Sequence, residues 1–192
     1  MKKYKLTGET KEIGGVTLHR IRALIDIPEH DVKAGDLGGW IEAERNLSQK
    51  GAAWVADSAL VTGAALVTDD ARVMDSARVT GLSLVAGNAC VMGNARVMGT
   101  ARVTDSARVT DEALVTDSAD YIAIGAIGSR DDTTTFYRGK DGKIYVSCGC
   151  FNGTIDDFAA EVKQVHAGTK HERTYLLAIE LAKAQIATEE ES

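Results

Sequence analysis

A six-residue period runs without a slip from Ala53 to Ala119. Valine recurs at 55, 61, 67, 73, 79, 85, 91, 97, 103, 109 and 115. Alanine stands two residues before each valine except at Ser83, and Asp or Gly stands two residues after each one. A fixed period of this kind dictates architecture before any local propensity is weighed. On a helix, six steps of about 100° place successive valines about 240° apart, so no apolar stripe forms. A strand fits better. In Ala-Arg-Val-Thr, Ala and Val point one way while Arg and Thr point the other. The next two residues, such as Asp-Ser or Gly-Asn, make a corner. One such short strand cannot bury itself; three hexads per turn would give a triangular coil of eighteen residues, each strand pairing in parallel with its neighbour one lap on.

Stacking by eighteen residues then gives three inward columns: Val55, Val73, Val91, Val109; Val61, Val79, Val97, Val115; and Val67, Val85, Val103. Three outward rows accompany them. One holds Trp54, Arg72, Cys90 and Arg108, the second Leu60, Arg78, Arg96 and Leu114, and the third Leu66, Leu84 and Arg102. Arg78 and Arg96 fall on adjacent rungs, and two neighbouring guanidiniums call for carboxylates from a partner or for an anionic ligand. The Leu, Met and Trp content of these rows is too apolar for three freely exposed faces, which implies a subunit interface.

The hexads resemble the hexapeptide-repeat, left-handed parallel β-helix family, whose pattern is an aliphatic residue at i and a small one at i+4, as in Val55/Ala59, Val61/Ala65 and Val67/Ala71. That family often has Gly directly after the aliphatic residue; here Thr, Met or Ala takes the place. Left-handedness is therefore implied by the resemblance alone. The fold expected is mainly β: a small N-terminal β cap with a Gly-rich lead-in loop (1–40), the β-helix (41–128), and a C-terminal β-hairpin plus two helices (129–192). Within 41–128, Ile41 and Leu47 open an imperfect first lap, because Leu47 to Val55 is eight residues rather than six. Tyr121 to Ile127 reads as a last, drifting rung. The run TTTFYRGKDGKIYVSCGCF reads as the hairpin, with Cys148 and Cys150 on one face of its second strand. Thr154 and Thr169 are the expected caps of the two helices, with Ile155, Phe158, Val162 and Val165 as the apolar stripe of the first.

The lead-in GDLGGWIE (35–42), the alanine-valine hexads and the SCGCFNGTIDDF end (147–158) together are similar to β-helix proteins that phages and prophages carry. This resemblance implies a bacterial or phage source and a homotrimer, and no settled activity. The location expected is the cytoplasm of a bacterial host cell, and no cofactor is expected. A formal net charge of −6 argues against nucleic acid as the partner. No apolar run is long enough to span a membrane. Three cysteines point to reduced thiols inside a cell.

The reading favoured is a non-catalytic trimeric binding protein that sequesters or blocks a host protein or a small anionic ligand, a counter-defence role. Its partner-binding candidates are Arg78, Arg96 and Arg102, with Asp36 and Trp40 of the lead-in loop and Trp54 at the foot of its row. The first alternative is an acyl-CoA-dependent acyltransferase, for which His30 is the candidate base. The second is a structural part of a virion or assembly. A zinc site would draw on Cys148 and Cys150 with His166 and His171, at a spacing that matches no standard finger.

Overall fold

The computed structural model describes residues 2–186. The chain opens with β1 (Tyr4–Ile13), β2 (Val16–Ala23) and β3 (Leu37–Ile41). Eleven two-residue strands follow: β4 (Trp54–Val55), β5 (Leu60–Val61), β6 (Leu66–Val67), β7 (Arg72–Val73), β8 (Arg78–Val79), β9 (Leu84–Val85), β10 (Cys90–Val91), β11 (Arg96–Val97), β12 (Arg102–Val103), β13 (Arg108–Val109) and β14 (Leu114–Val115). Then come β15 (Tyr121–Ile127), β16 (Asp132–Arg138), β17 (Ile144–Cys148), β18 (Phe151–Thr154), α1 (Ile155–Val165) and α2 (Lys170–Gln185).

The short strands wind into a parallel solenoid of about four turns. Val55 pairs with Val73, Val73 with Val91, and Val91 with Val109; Val61, Val79, Val97 and Val115 stack likewise, as do Val67, Val85 and Val103. Each lap therefore takes eighteen residues over three sides. The valines and their alanine neighbours fill a narrow, fully buried axis. At Ser83, the one exception to alanine, the buried hydroxyl donates to the Thr80 carbonyl at 2.8 Å. Ala77 is fully buried on this narrow axis, so Ala77→Leu is expected to overpack it by about 1–3 kcal/mol, read as a lowered urea midpoint.

The Asp-or-Gly rule at the corners has a conformational cause. From Asp57 to Asp111 these ten residues all hold a left-handed backbone, with φ between 50° and 76°. Gly takes this region freely, and Asp is among the few other residues that tolerate it. Asp also gains there. Asp57, Asp69 and Asp75 each accept, through Oδ2, the backbone N–H of the corner one lap on: Asp75 at 3.3 Å, Gly87 at 3.1 Å and Gly93 at 2.9 Å. Asp117 keeps the residue type but not the conformation. Its φ is −138°, and it caps a single turn at Ser118–Asp120, so the winding stops there.

The N-terminal strands continue one wall of the coil. β1 pairs antiparallel with β2 and β2 with β3, while β3 runs parallel to β5, with Trp40 beside Leu60 and Ile41 beside Val61. Leu47 bridges to Val67, twenty residues on, so the first lap carries two residues more than the rest. The open lower end would leave carbonyls unpaired. The buried Lys3 ammonium closes it, donating to Ala53 O at 2.7 Å and Gly51 O at 3.2 Å. Burial pushes the Lys3 amine down to about 8, against the opposing pull of Asp70. The Tyr4 hydroxyl donates to Leu47 O at 2.7 Å, and the buried Asn46 amide donates to Ala65 O at 2.8 Å.

Two expectations fail at the other end. Tyr121–Ile127 is not a last rung: β15 pairs antiparallel with β16. Without a left-handed corner at Asp117, the chain leaves the coil axis. Nor do Cys148 and Cys150 share a strand. β17 ends at Cys148, Gly149 turns the chain with φ 59°, and β18 returns antiparallel. The hairpin is thus the middle of a four-stranded sheet in the order β15-β16-β17-β18. Phe136, Val146, Phe158, Tyr175 and Ile179 form the core between this sheet and the two helices. The helix caps fall at Thr154 and Thr169, whose hydroxyls accept from Asp157 N and Glu172 N. Val165, by contrast, is exposed, because it is the last residue of α1.

A candidate anion-binding face

Register places one outward row along the wall shared by coil and cap: Arg20, Trp40, Leu60, Arg78, Arg96 and Leu114. A break in pairing between Leu6 and Thr10 divides the β1–β2 hairpin. Its distal part brings Leu18 onto Trp40 and Leu60 in a small buried cluster. Lys11, opposite Leu18, sets its ammonium 4.2 Å over the Trp40 ring, and the Arg20 guanidinium lies 5.5 Å from the same ring. Both are cation–π contacts. The Lys11 amine is held below its ordinary value, first by burial and then by the charges of Arg20 and Arg78. Lys11 is therefore within electrostatic reach of Arg78 as well as of Arg20.

The four cations differ in how they are compensated. Arg20 pairs with Glu9 at 3.2 Å and donates to Gly38 O. Arg78 and Arg96 are exposed on adjacent rungs, about 4.8 Å apart, and neither meets a carboxylate within ion-pairing distance among the described residues. The corner aspartates do not serve them. Asp57, Asp69 and Asp75 turn their carboxylates onto the backbone of the next lap instead.

Of the six residues singled out from sequence, this face unites Trp40, Arg78 and Arg96. Arg102 lies on another wall, in the sheet of β6, β9 and β12. Trp54 is on the third wall and is 1% exposed, so it is a core residue and not a ligand contact. Asp36 sits in a turn, where its Oδ2 accepts from Lys33 N at 2.8 Å. Lys11 and Arg20 were missed. They stand outside the repeat, and only strand register carries them to this face.

His30 ends a short 3-10 turn, Pro28–His30. Its Nε2 lies 3.1 Å from Asp70 O. A carbonyl can only accept, so this nitrogen carries the proton and cannot act as the base. Burial, and then Arg72, hold the imidazole below its ordinary value. The thiols are likewise engaged apart. Cys148 Sγ lies 3.2 Å from the Thr134 hydroxyl and 3.7 Å from that of Tyr175, while Cys150 Sγ lies 3.7 Å from the Arg130 guanidinium. His166 and His171 pack edge to face, with ring centres 5.9 Å apart. Among the described residues no group of three or more His, Cys, Asp or Glu could hold a metal ion, and no helix is long and apolar enough to cross a membrane. The zinc arrangement considered from sequence is not assembled.

A scan against protein-family models finds no match, and a search of curated proteins finds none.

Proposed function

We propose that this chain is a non-catalytic, trimeric, left-handed β-helix of the phage or prophage kind, which acts in the bacterial cytoplasm by holding an anionic host ligand or the acidic surface of a host protein. One observation carries the reading: Arg78 and Arg96 stand exposed on adjacent rungs with no carboxylate within ion-pairing distance among the described residues, and Lys11 adds charge near Arg78. Two parallel guanidiniums repel one another, and a bound anion relieves that repulsion while taking charge-assisted hydrogen bonds from both. Lys11 and Arg20 already lie against the Trp40 ring, and Leu18 and Leu60 pack on it, so the face recognises charge and not a stacked ring.

Native mass spectrometry of the protein recovered from infected cells tests this. Three chains with an associated anion or host protein are expected, and Arg78→Ala/Arg96→Ala should weaken that association by about tenfold or more. A bare monomer, or an adduct indifferent to the double substitution, would sink the proposal. Acetyl-CoA turnover that disappears in His30→Ala would replace it with the acyltransferase reading.

A further inference from the structure

The wall formed by β4, β7, β10 and β13 carries a separate cluster. Its outward row reads Trp54, Arg72, Cys90 and Arg108, in register. Arg72 and Arg108 are two rungs apart, about 9.6 Å, and the side chain between them is a short thiol. Both guanidiniums act on Cys90, whose thiol is nonetheless raised by burial. The row therefore sets a short, half-buried thiol between two long cationic side chains.

Among the described residues neither arginine has an ion-pair partner. Arg72 Nε is shut off from water and has no hydrogen-bond partner, which native structures rarely leave to a charged donor. Arg108 is exposed and, among the described residues, has no ion-pair partner. The acid that faces Cys90 is Asp75, and its Oδ2 accepts from Gly93 N at 2.9 Å. His30, beside Arg72, gives its Nε2 proton to Asp70 O. Two hydrogen bonds of about 2.8 Å each and the width of one phosphate group are together comparable with this two-rung spacing.

The geometry points to a second anion site, distinct from the Arg78–Arg96 face: a site over Cys90 at which Arg72 and Arg108 clamp a single phosphate group, free or as a monoester. The bound oxyanion supplies the counter-charge that Arg72 lacks.

The test is a titration of the full chain with inorganic phosphate against chloride at matched ionic strength, followed through the arginine side-chain N–H signals by nuclear magnetic resonance. Saturable shifts at Arg72 and Arg108 are expected, with affinity about tenfold weaker in Arg72→Gln and in Arg108→Gln. Arg72→Lys keeps the charge but not the planar fork and should fall between. Arg108 is exposed, so its variant carries the test alone where Arg72→Gln does not fold. Three results would overturn the site: no saturable shift, an equal response to acetate, or a response abolished by Arg78→Gln/Arg96→Gln and kept in Arg108→Gln. A monoester that competes with phosphate would identify the site as open to a larger ligand bearing that group.

Discussion

Asp120→Ala is expected to destabilise the protein by about 2–4 kcal/mol, read as a lower urea midpoint. Asp120 holds the joint between the last lap and the C-terminal sheet. Its Oδ2 accepts from Thr116 N at 2.8 Å, Thr116 Oγ1 at 2.6 Å and Asp117 N at 3.0 Å. Its Oδ1 lies 2.8 Å from Arg138 Nε, off the line of that N–H, so the contact is an ion pair more than an aligned hydrogen bond. The carboxylate side chain is 8% exposed. Alanine would leave Arg138 without its counter-charge and two backbone amides without an acceptor. Asp120→Asn keeps an acceptor and loses the charge, so its cost should be smaller.

The same residue sets an acid sensitivity. Burial alone would raise the Asp120 carboxyl, but the bonds from Thr116 and Asp117, and then Arg138, outweigh it and hold the group below its ordinary value. A carboxyl depressed in the folded state contributes fully above its unfolded value, near 4, and loses that contribution as pH falls through the folded value. Urea midpoints should therefore drop below about pH 4 more steeply in the native protein than in Asp120→Asn. Parallel pH profiles for the two would refute this assignment.

Trp54→Ala is expected to cost about 3–5 kcal/mol, the usual range for emptying a buried aromatic site. Although its row faces outward, the indole lies under the lead-in strand β3. A Cβ added at Gly38 would fall 2.7 Å from Trp54 Cζ2, which shows how closely that backbone lies on the ring. Stability in a coil is a sum over neighbouring laps. Hydrogen exchange should therefore quicken first in the cap and lower laps, while β16–β18 and the helices stay protected. A uniform loss of protection across all laps would contradict that picture.

The valine period, wound three hexads to a turn, located every stacked valine pair in the coil, because a one-residue slip would turn the valines outward. Thr154 and Thr169 were equally legible, since a capping hydroxyl acts within its own turn. Tyr121–Ile127 was not. An apolar run of that length serves as a rung or as an antiparallel strand, and the deciding fact is the backbone angle at Asp117. The turn at Gly149 hid in the same way, between two cysteines that alternation would place together. At the candidate face, Arg78 and Arg96 were predictable from the period. Lys11 was not, because its place over Trp40 depends on how a hairpin bends beyond its pairing break.

The uniform step of eighteen residues also fixes the rotational phase between the two ends of the molecule. Excising residues 73–90 would shorten the rod by one storey and leave the terminal modules at the same azimuth. Losing a single hexad would instead swing the C-terminal helices, together with the last lap that holds them, a third of a circle around the long axis relative to the N-terminal cap. Only a change by whole storeys keeps the two terminal modules on the same side of the rod.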